Sequence, residues 1–330
     1  MKTVDVREPT TRVAAMSVPP DRIERIAVLG AGTIGASWAA WFLGRGKRVA
    51  LYDPNPAAED FARRFIVTAW PALTQLGLAT DADPEAWTFG TDPAEAMRGA
   101  QFVQENAPER LAIKRELYAA IEPALGADAI LASSSSGITM SELQRGFGMA
   151  PRMAIGHPFN PPHLIPLVEV VGGRDTAPET IAWCLGFYAA IGKRPIHIRK
   201  EAPGHLANRL QAALYREAVS AVVSGLASVA DVDTAITAGP GLRWALMGPH
   251  MTFHLGGGEG GMAHMLEQFR PVFEGWWDSM ETPKLTDEVC RQIIEGVDDH
   301  AGARSIGELQ AERDAGLVAL LRMLAERREA

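Results

Sequence analysis

Hydrophobic positions in the first two thirds of the chain fall in short continuous runs, and the runs recur at intervals long enough to hold a helix. Residues 23–29 are apolar and β-prone, and Gly30-Ala31-Gly32-Thr33-Ile34-Gly35 follows at once. A helical stretch over 36–43 comes next, then Gly46 and a second apolar run over 48–52 that closes on Asp53. That order predicts strand, glycine turn, helix, strand. Further short runs at 88–89, 102–104, 129–132, 153–155, 167–171 and 195–198 extend the alternation. Strands alternating with segments long enough to be helices predict a mostly parallel sheet with helices on both faces.

Beyond Lys200 the period changes. Residues 204–226, 229–237, 262–273, 287–297 and 305–328 carry apolar side chains at three- and four-residue spacing and read as helices. In the last of these Leu309, Leu317, Leu320, Leu321 and Leu324 form a broad apolar face suited to a core or a subunit interface. The expected organisation is a flexible leader over 1–21, a Rossmann-type α/β domain over 22–200, and an all-helical domain over 201–330. The leader mixes Thr, Pro, Arg and Val without periodicity and ends in Pro19-Pro20.

Composition narrows the class of function. The 330 residues are 47% hydrophobic and 22% charged, ordinary for a globular chain, with a net charge of −8. Basic and acidic residues balance at 21 each over 1–200, whereas 201–330 has 11 basic against 19 acidic, so the whole excess lies in the helical part. No basic stripe suited to nucleic acid is present, and no apolar run approaches the roughly 20 residues that cross a bilayer. Two cysteines, Cys184 and Cys290, make neither a disulfide framework nor a zinc pattern, and the expected compartment is the cytoplasm.

Two constellations carry chemistry. Glycines at 30, 32 and 35 after a strand and at the start of a helix form a dinucleotide fingerprint, in which backbone approaches a pyrophosphate and the helix N-terminus faces it. Asp53, 18 residues after Gly35, ends the next strand, where a carboxylate accepts from the adenosine ribose diol and repels a 2′-phosphate; NAD is expected over NADP. The second constellation is His157 and Glu169, at the end of one apolar run and inside the next. A carboxylate in an apolar strand needs a partner, and an imidazole oriented by a carboxylate is a general base suited to taking a hydroxyl proton.

With the serine run at 133–136, the Gly156-His157-Pro158-Phe159-Asn160-Pro161 segment and Pro203-Gly204-His205-Leu206-Ala207-Asn208-Arg209, the chain resembles the 3-hydroxyacyl-CoA dehydrogenase superfamily over about residues 25–250. That resemblance implies His157 as general base and Glu169 as its orienting partner. It also implies Ser136 and Asn208 as holders of the substrate oxygen or the histidine, Glu109 and Lys114 beside the cofactor, and a homodimer through the helical domain.

The superfamily's members differ in substrate. No basic residue lies between Arg64 and Arg98, where members acting on CoA thioesters carry lysines for the CoA phosphates. Gly241-Leu242-Arg243-Trp244-Ala245-Leu246-Met247-Gly248, followed by the glycine-rich 256–262, is similar instead to the branch that oxidises carnitine, and less closely to the L-gulonate dehydrogenases and their lens-crystallin relative. The expected reaction is oxidation of a small 3-hydroxy acid. A quaternary ammonium group offers no hydrogen bond and is held by aromatic faces, for which Trp244 and Phe253 are the candidates. The sequence around Phe253, Gly248-Pro249-His250-Met251-Thr252-Phe253-His254, lacks the acid that relatives carry there. His250 and His254, four apart without a third ligand, do not make a metal pattern, and hydride transfer to NAD needs no metal.

Overall fold

A computed structural model describes residues 18–329, and these divide into two compact units after Leu206. In the first unit the chain runs β1 (Arg25–Leu29), α1 (Thr33–Gly44), β2 (Arg48–Tyr52), α2 (Ala58–Gln75), β3 (Trp87–Gly90), α3 (Pro93–Ala96), β4 (Phe102–Glu105), α4 (Leu111–Ile121), β5 (Ile130–Ser133), α5 (Met140–Leu143), β6 (Met153–Pro158), β7 (Leu167–Val171), α6 (Pro178–Ala190) and β8 (Arg194–Ile198). The strands form one eight-stranded sheet in the order β3-β2-β1-β4-β5-β6-β7-β8.

Both faces of this sheet are covered, as the continuous apolar runs require. Phe102 on β4 faces a layer containing Trp38, Phe42, Phe187 and Tyr188, and its ring centroid lies 4.2 Å from that of Phe187. Val103, its neighbour, faces the opposite layer with Tyr118, Leu131, Met153 and Ile155. Strand order reverses between β1 and β4, so the crevice for a ligand opens at the carboxyl ends of those two strands.

Every strand pair is parallel except β6 and β7. Only residues 159–166 join these two, too short a connection for the helical crossover that a parallel pair needs. The antiparallel register sets His157 directly opposite Glu169.

The leader expected over 1–21 overlaps described structure at its end. Residues 1–17 lie outside the described residues, but 18–21 are packed on the sheet domain: the Trp183 indole donates to the Val18 carbonyl at 3.0 Å, and Pro20–Arg22 form a 3-10 turn.

The second unit consists of helices: α7 (Ala207–Val223), α8 (Val229–Thr237), α9 (Pro240–Trp244), α10 (Pro249–Gly256), α11 (Gly261–Ser279), α12 (Asp287–Ala301) and α13 (Ile306–Glu329). Ser228 and Thr286 cap α8 and α12 by accepting from the backbone N–H three residues on. The first helix starts at Ala207 rather than at 204, because Gly204 and His205 hold left-handed backbone angles, φ +75° and +48°, that a helix cannot contain. Helices α9 and α10 carry Pro in their first turn and sit among glycines, which hid them from periodicity.

Candidate active site

The glycine turn is shaped for a ligand by what surrounds each glycine. Gly30 has φ +92°, and a Cβ there would fall 2.7 Å from the Asn106 carbonyl oxygen. At Gly35 a Cβ would come within 1.7 Å of the Gly30 oxygen. Neither position admits a side chain. Gly32 differs: a Cβ there would meet no protein atom within 4 Å. It is the N-cap of α1 and no side chain caps that helix, so the first-turn N–H groups face open space at the positive end of the dipole. Thr33 and Ile34 continue the turn into α1, and Ala31 is buried beneath it.

Asp53 follows β2 at the same edge of the sheet. One of its carboxylate oxygens accepts from the Ala31 N–H at 2.9 Å and the other from the Asn55 N–H at 3.0 Å. Each retains a lone pair for a hydroxyl. Gly30, Tyr52, Asp53, Pro54 and Ala107 line a cleft of about 390 Å³ beside the reversal in strand order. An open helix N-terminus, glycines that let backbone approach, and a carboxylate at the next strand end fit the pyrophosphate and adenosine ribose of NAD.

His157 and Glu169 form the second part. His157 is 7% exposed and Glu169 is fully buried. His157 Nδ1 lies 2.9 Å from Glu169 Oε2, and because a carboxylate accepts, Nδ1 carries the proton. That leaves Nε2 as a lone pair, the form in which an imidazole takes a proton. The other Glu169 oxygen accepts from the Leu206 N–H at 2.9 Å, so the buried carboxylate is held from both sides.

The serine loop after β5 hangs on Glu109. Its Oε1 accepts from the Ser135 hydroxyl at 2.6 Å and from the N–H groups of Ser136, Gly137 and Ile138 at 3.1, 2.7 and 3.1 Å. Burial alone would raise the Glu109 carboxyl, but the Ser135 and backbone hydrogen bonds and the nearby Lys114 outweigh it and hold it below the usual range. Ser136, half-buried, is fixed further through its carbonyl, which accepts from the Gly204 N–H at 3.0 Å.

Lys114 is no surface lysine. At 1% exposed, its ammonium lies 2.8 Å from Glu105 Oε1, 2.9 Å from the Ala107 carbonyl and 3.6 Å from Glu109. Tyr118 and Ser133 donate to the other Glu105 oxygen, each at 2.6 Å. Sequence reasoning missed Glu105, although it is a carboxylate at the end of an apolar strand, the same signal that singled out Glu169. His205 was also missed; its imidazole Nε2 lies 2.9 Å from the Ser135 carbonyl.

Asn208, Trp244 and Phe253 belong to the helical unit. Asn208 lies in the first turn of α7, and Trp244 ends α9. Phe253, on α10, meets the Phe273 ring edge-on with centroids 5.1 Å apart. Trp244 and Phe253 are each 41% exposed rather than sealed in a core. His254 is engaged locally, its Nδ1 accepting from the Met262 N–H at 3.0 Å.

The family profile for the 3-hydroxyacyl-CoA dehydrogenase NAD binding domain matches residues 25–202, and that for the C-terminal domain of the same family matches 204–292. An L-carnitine dehydrogenase of Streptomyces griseus is 48% identical over 97% of this chain and 96% of its own length. One from Bacillus cereus is 45% identical over 92% of this chain and 93% of its own. Among solved structures, a 5-formyl-3-hydroxy-2-methylpyridine 4-carboxylic acid 5-dehydrogenase, an NAD+-dependent dismutase, is 32% identical with TM-score 0.79, covering 92% of this chain and 99% of that one. The (S)-3-hydroxybutyryl-CoA dehydrogenase of Ralstonia eutropha is 25% identical with TM-score 0.60 over 78% of this chain and 89% of its own. With both family domains matched in order along the chain, and an NAD-binding turn and a His–Glu pair in the first of them, the protein belongs to the 3-hydroxyacyl-CoA dehydrogenase family.

Proposed function

We propose that the protein oxidises the 3-hydroxyl of L-carnitine to the ketone with NAD. The observation that carries the reaction type is the buried His157–Glu169 pair at the ligand edge of the sheet; similarity over nearly the whole chain to L-carnitine dehydrogenases supports the substrate. When bound, NAD supplies the two-electron oxidant that takes hydride from carbon 3. The protein's own part is the proton. His157 Nε2, bare because Nδ1 is committed to Glu169, takes it from the hydroxyl, and the Glu169 carboxylate supports the imidazolium that results. Ser136, on its rigid loop, is proposed to hold the reacting oxygen, and Asn208 is given the same role on the family resemblance. Gly30, Ala31, Gly32, Thr33, Ile34, Gly35 and Asp53 are proposed to hold the cofactor, with Glu109 and Lys114 setting the loop beside it.

The trimethylammonium group is assigned to Trp244 and Phe253, whose exposed ring faces suit a cation that cannot donate. We also propose that the helical part beyond about residue 200 serves substrate binding and dimerisation. Of its described hydrophobic side chains only Val219, Val222, Met265 and Val318 are buried, and both hydrophobic clusters lie in the sheet domain. A unit so poor in core is completed by a second copy, which supports a homodimer. A reducing cytoplasm is the proposed location, where Cys184 and Cys290 stay thiols.

Side-by-side turnover of L-carnitine, 3-hydroxybutyryl-CoA and L-gulonate with NAD tests the substrate. L-Carnitine should lead by at least about 100-fold in kcat/KM, the size of effect that a few well-placed polar and cation contacts provide. A faster CoA thioester or sugar acid would reassign the substrate, and tight NAD binding without turnover of any of them would point to a structural role.

A further inference from the structure

His205 is a second buried imidazole beside the first, and the reaction as written gives it nothing to do. Its ring centroid lies 5.0 Å from that of His157, with the planes inclined at 55°. Nε2 is 2.9 Å from the Ser135 carbonyl oxygen, an atom that only accepts, so Nε2 carries the proton and donates. Nδ1 is therefore a lone pair, and it is buried with no hydrogen-bond partner among the described residues. The residue itself is 5% exposed and sits at φ +48°, a left-handed angle that non-glycine residues rarely hold unless surrounding structure imposes it.

That backbone angle sets three neighbouring groups to work. The Gly204 N–H donates to the Ser136 carbonyl, the His205 imidazole to the Ser135 carbonyl, and the Leu206 N–H to Glu169. Three consecutive residues thus tie the serine loop to the carboxylate behind His157. We propose that His205 is a positioning residue for proton transfer at His157: its imidazole, donating to the Ser135 carbonyl, pins the serine loop relative to the His157–Glu169 pair. The inference rests on reading His157 as the base.

Charge bookkeeping follows from the surroundings. Facing His205 are His157 from β6, Glu169 from β7, Glu109 from the segment before α4, and the Ser135 carbonyl. Burial pushes the His205 imidazole below its ordinary value and the neighbouring His157 adds to this, while the Ser135 carbonyl and the two carboxylates pull the other way and are outweighed. His205 therefore gains a proton only at more acid pH than an ordinary imidazole. There it becomes a second cation 5.0 Å from the ring that must accept one.

Two substitutions separate loop-pinning from charge. His205→Phe keeps a ring and loses the donor, whereas His205→Gln supplies an N–H at similar reach and never titrates. With L-carnitine and NAD, His205→Phe should lower kcat roughly 10- to 100-fold, the usual worth of a displaced reacting group, with NADH affinity by fluorescence titration within about twofold. His205→Gln should recover most of that loss. In the wild type the acid limb of log kcat/KM against pH should steepen from a slope of one toward two as pH falls below the depressed His205 value; in His205→Gln it should stay at one. Wild-type kcat in His205→Phe, or a His205→Gln profile superimposing on the wild type, overturns the inference. If His205→Phe fails to fold, the His205→Gln profile decides alone. His157→Ala is run alongside: an inactive His157→Ala with a wild-type His205→Phe rejects only the role of His205, whereas an active His157→Ala removes the base assignment and this inference with it.

Discussion

At the scale of single residues, the site is an arrangement of buried charges that each have a partner. Glu105 and Lys114 are the most buried pair, 0% and 1% exposed, and Tyr118 and Ser133 complete the carboxylate. Burial and then the adjacent Glu105 push the Tyr118 hydroxyl well above its usual range, so it stays a donor. Removing one member leaves the other charge in a dry interior. Glu105→Gln or Lys114→Met should each cost about 3–5 kcal/mol, roughly 10 °C in melting temperature, and the double substitution should cost less than the sum. Thermal unfolding of the four proteins checks this, and additive losses would mean that the pair is not coupled. Residue chemistry was legible wherever a polar side chain interrupted an apolar run, as at His157 and Glu169. It was not legible where the meaning depends on a carbonyl far along the chain: nothing near His205 in sequence announces the Ser135 oxygen it donates to, 70 residues away.

Secondary-structure elements turn these residues into a geometry. Each predicted strand is present; the central ones, β1, β4, β5, β6 and β7, are almost wholly buried and so apolar on both faces, a requirement that writes itself into the sequence. The reversed direction of β7 was not among the expectations; it follows from a connection of only 159–166, and it sets His157 and Glu169 opposite each other. How that connection is held was not readable. The buried Lys193 ammonium donates to the carbonyls of Pro162 and Ile165 and lies 3.6 Å from the centroid of the Trp41 ring, while His163 on the same loop exchanges two 2.8 Å hydrogen bonds with Ser37 on α1. The loop behind the base is thereby tied to the helix that opens at the glycine turn. Lys193→Met removes a donor from two carbonyls and should cost about 2–3 kcal/mol. Amide exchange should quicken over 159–166 while β1 and β4 stay protected; unchanged exchange in the loop would show that Lys193 does not hold it.

Over the whole molecule, the two units differ in what they bury. The sheet domain has two hydrophobic clusters, one on each face. The helical unit exposes Leu226 at 78%, Trp277 at 66% and Ile306 at 72%, and Leu309, Leu317, Leu320, Leu321 and Leu324 of α13 are only half-buried. Light scattering on the eluting protein should give twice the mass of the 35.5 kDa chain; a monomer at micromolar concentration would refute the homodimer. The net charge of −8, all of it beyond residue 200, first served to set aside nucleic acid. Charge of that sign, on a unit with exposed aromatic faces, suits a small cationic hydroxy acid better than a polyanionic thioester.

In the proposed reaction His157, oriented by Glu169, removes the hydroxyl proton while NAD is reduced. The most direct measurement is the initial rate of NADH formation from L-carnitine by the wild type and by His157→Ala, with NADH affinity measured on both. The wild type should turn over, and His157→Ala should bind NADH as tightly while losing about 10²- to 10⁴-fold in kcat, the contribution typical of a general base. A wild type inert toward L-carnitine, or a His157→Ala variant within a few fold of wild-type kcat, would contradict it.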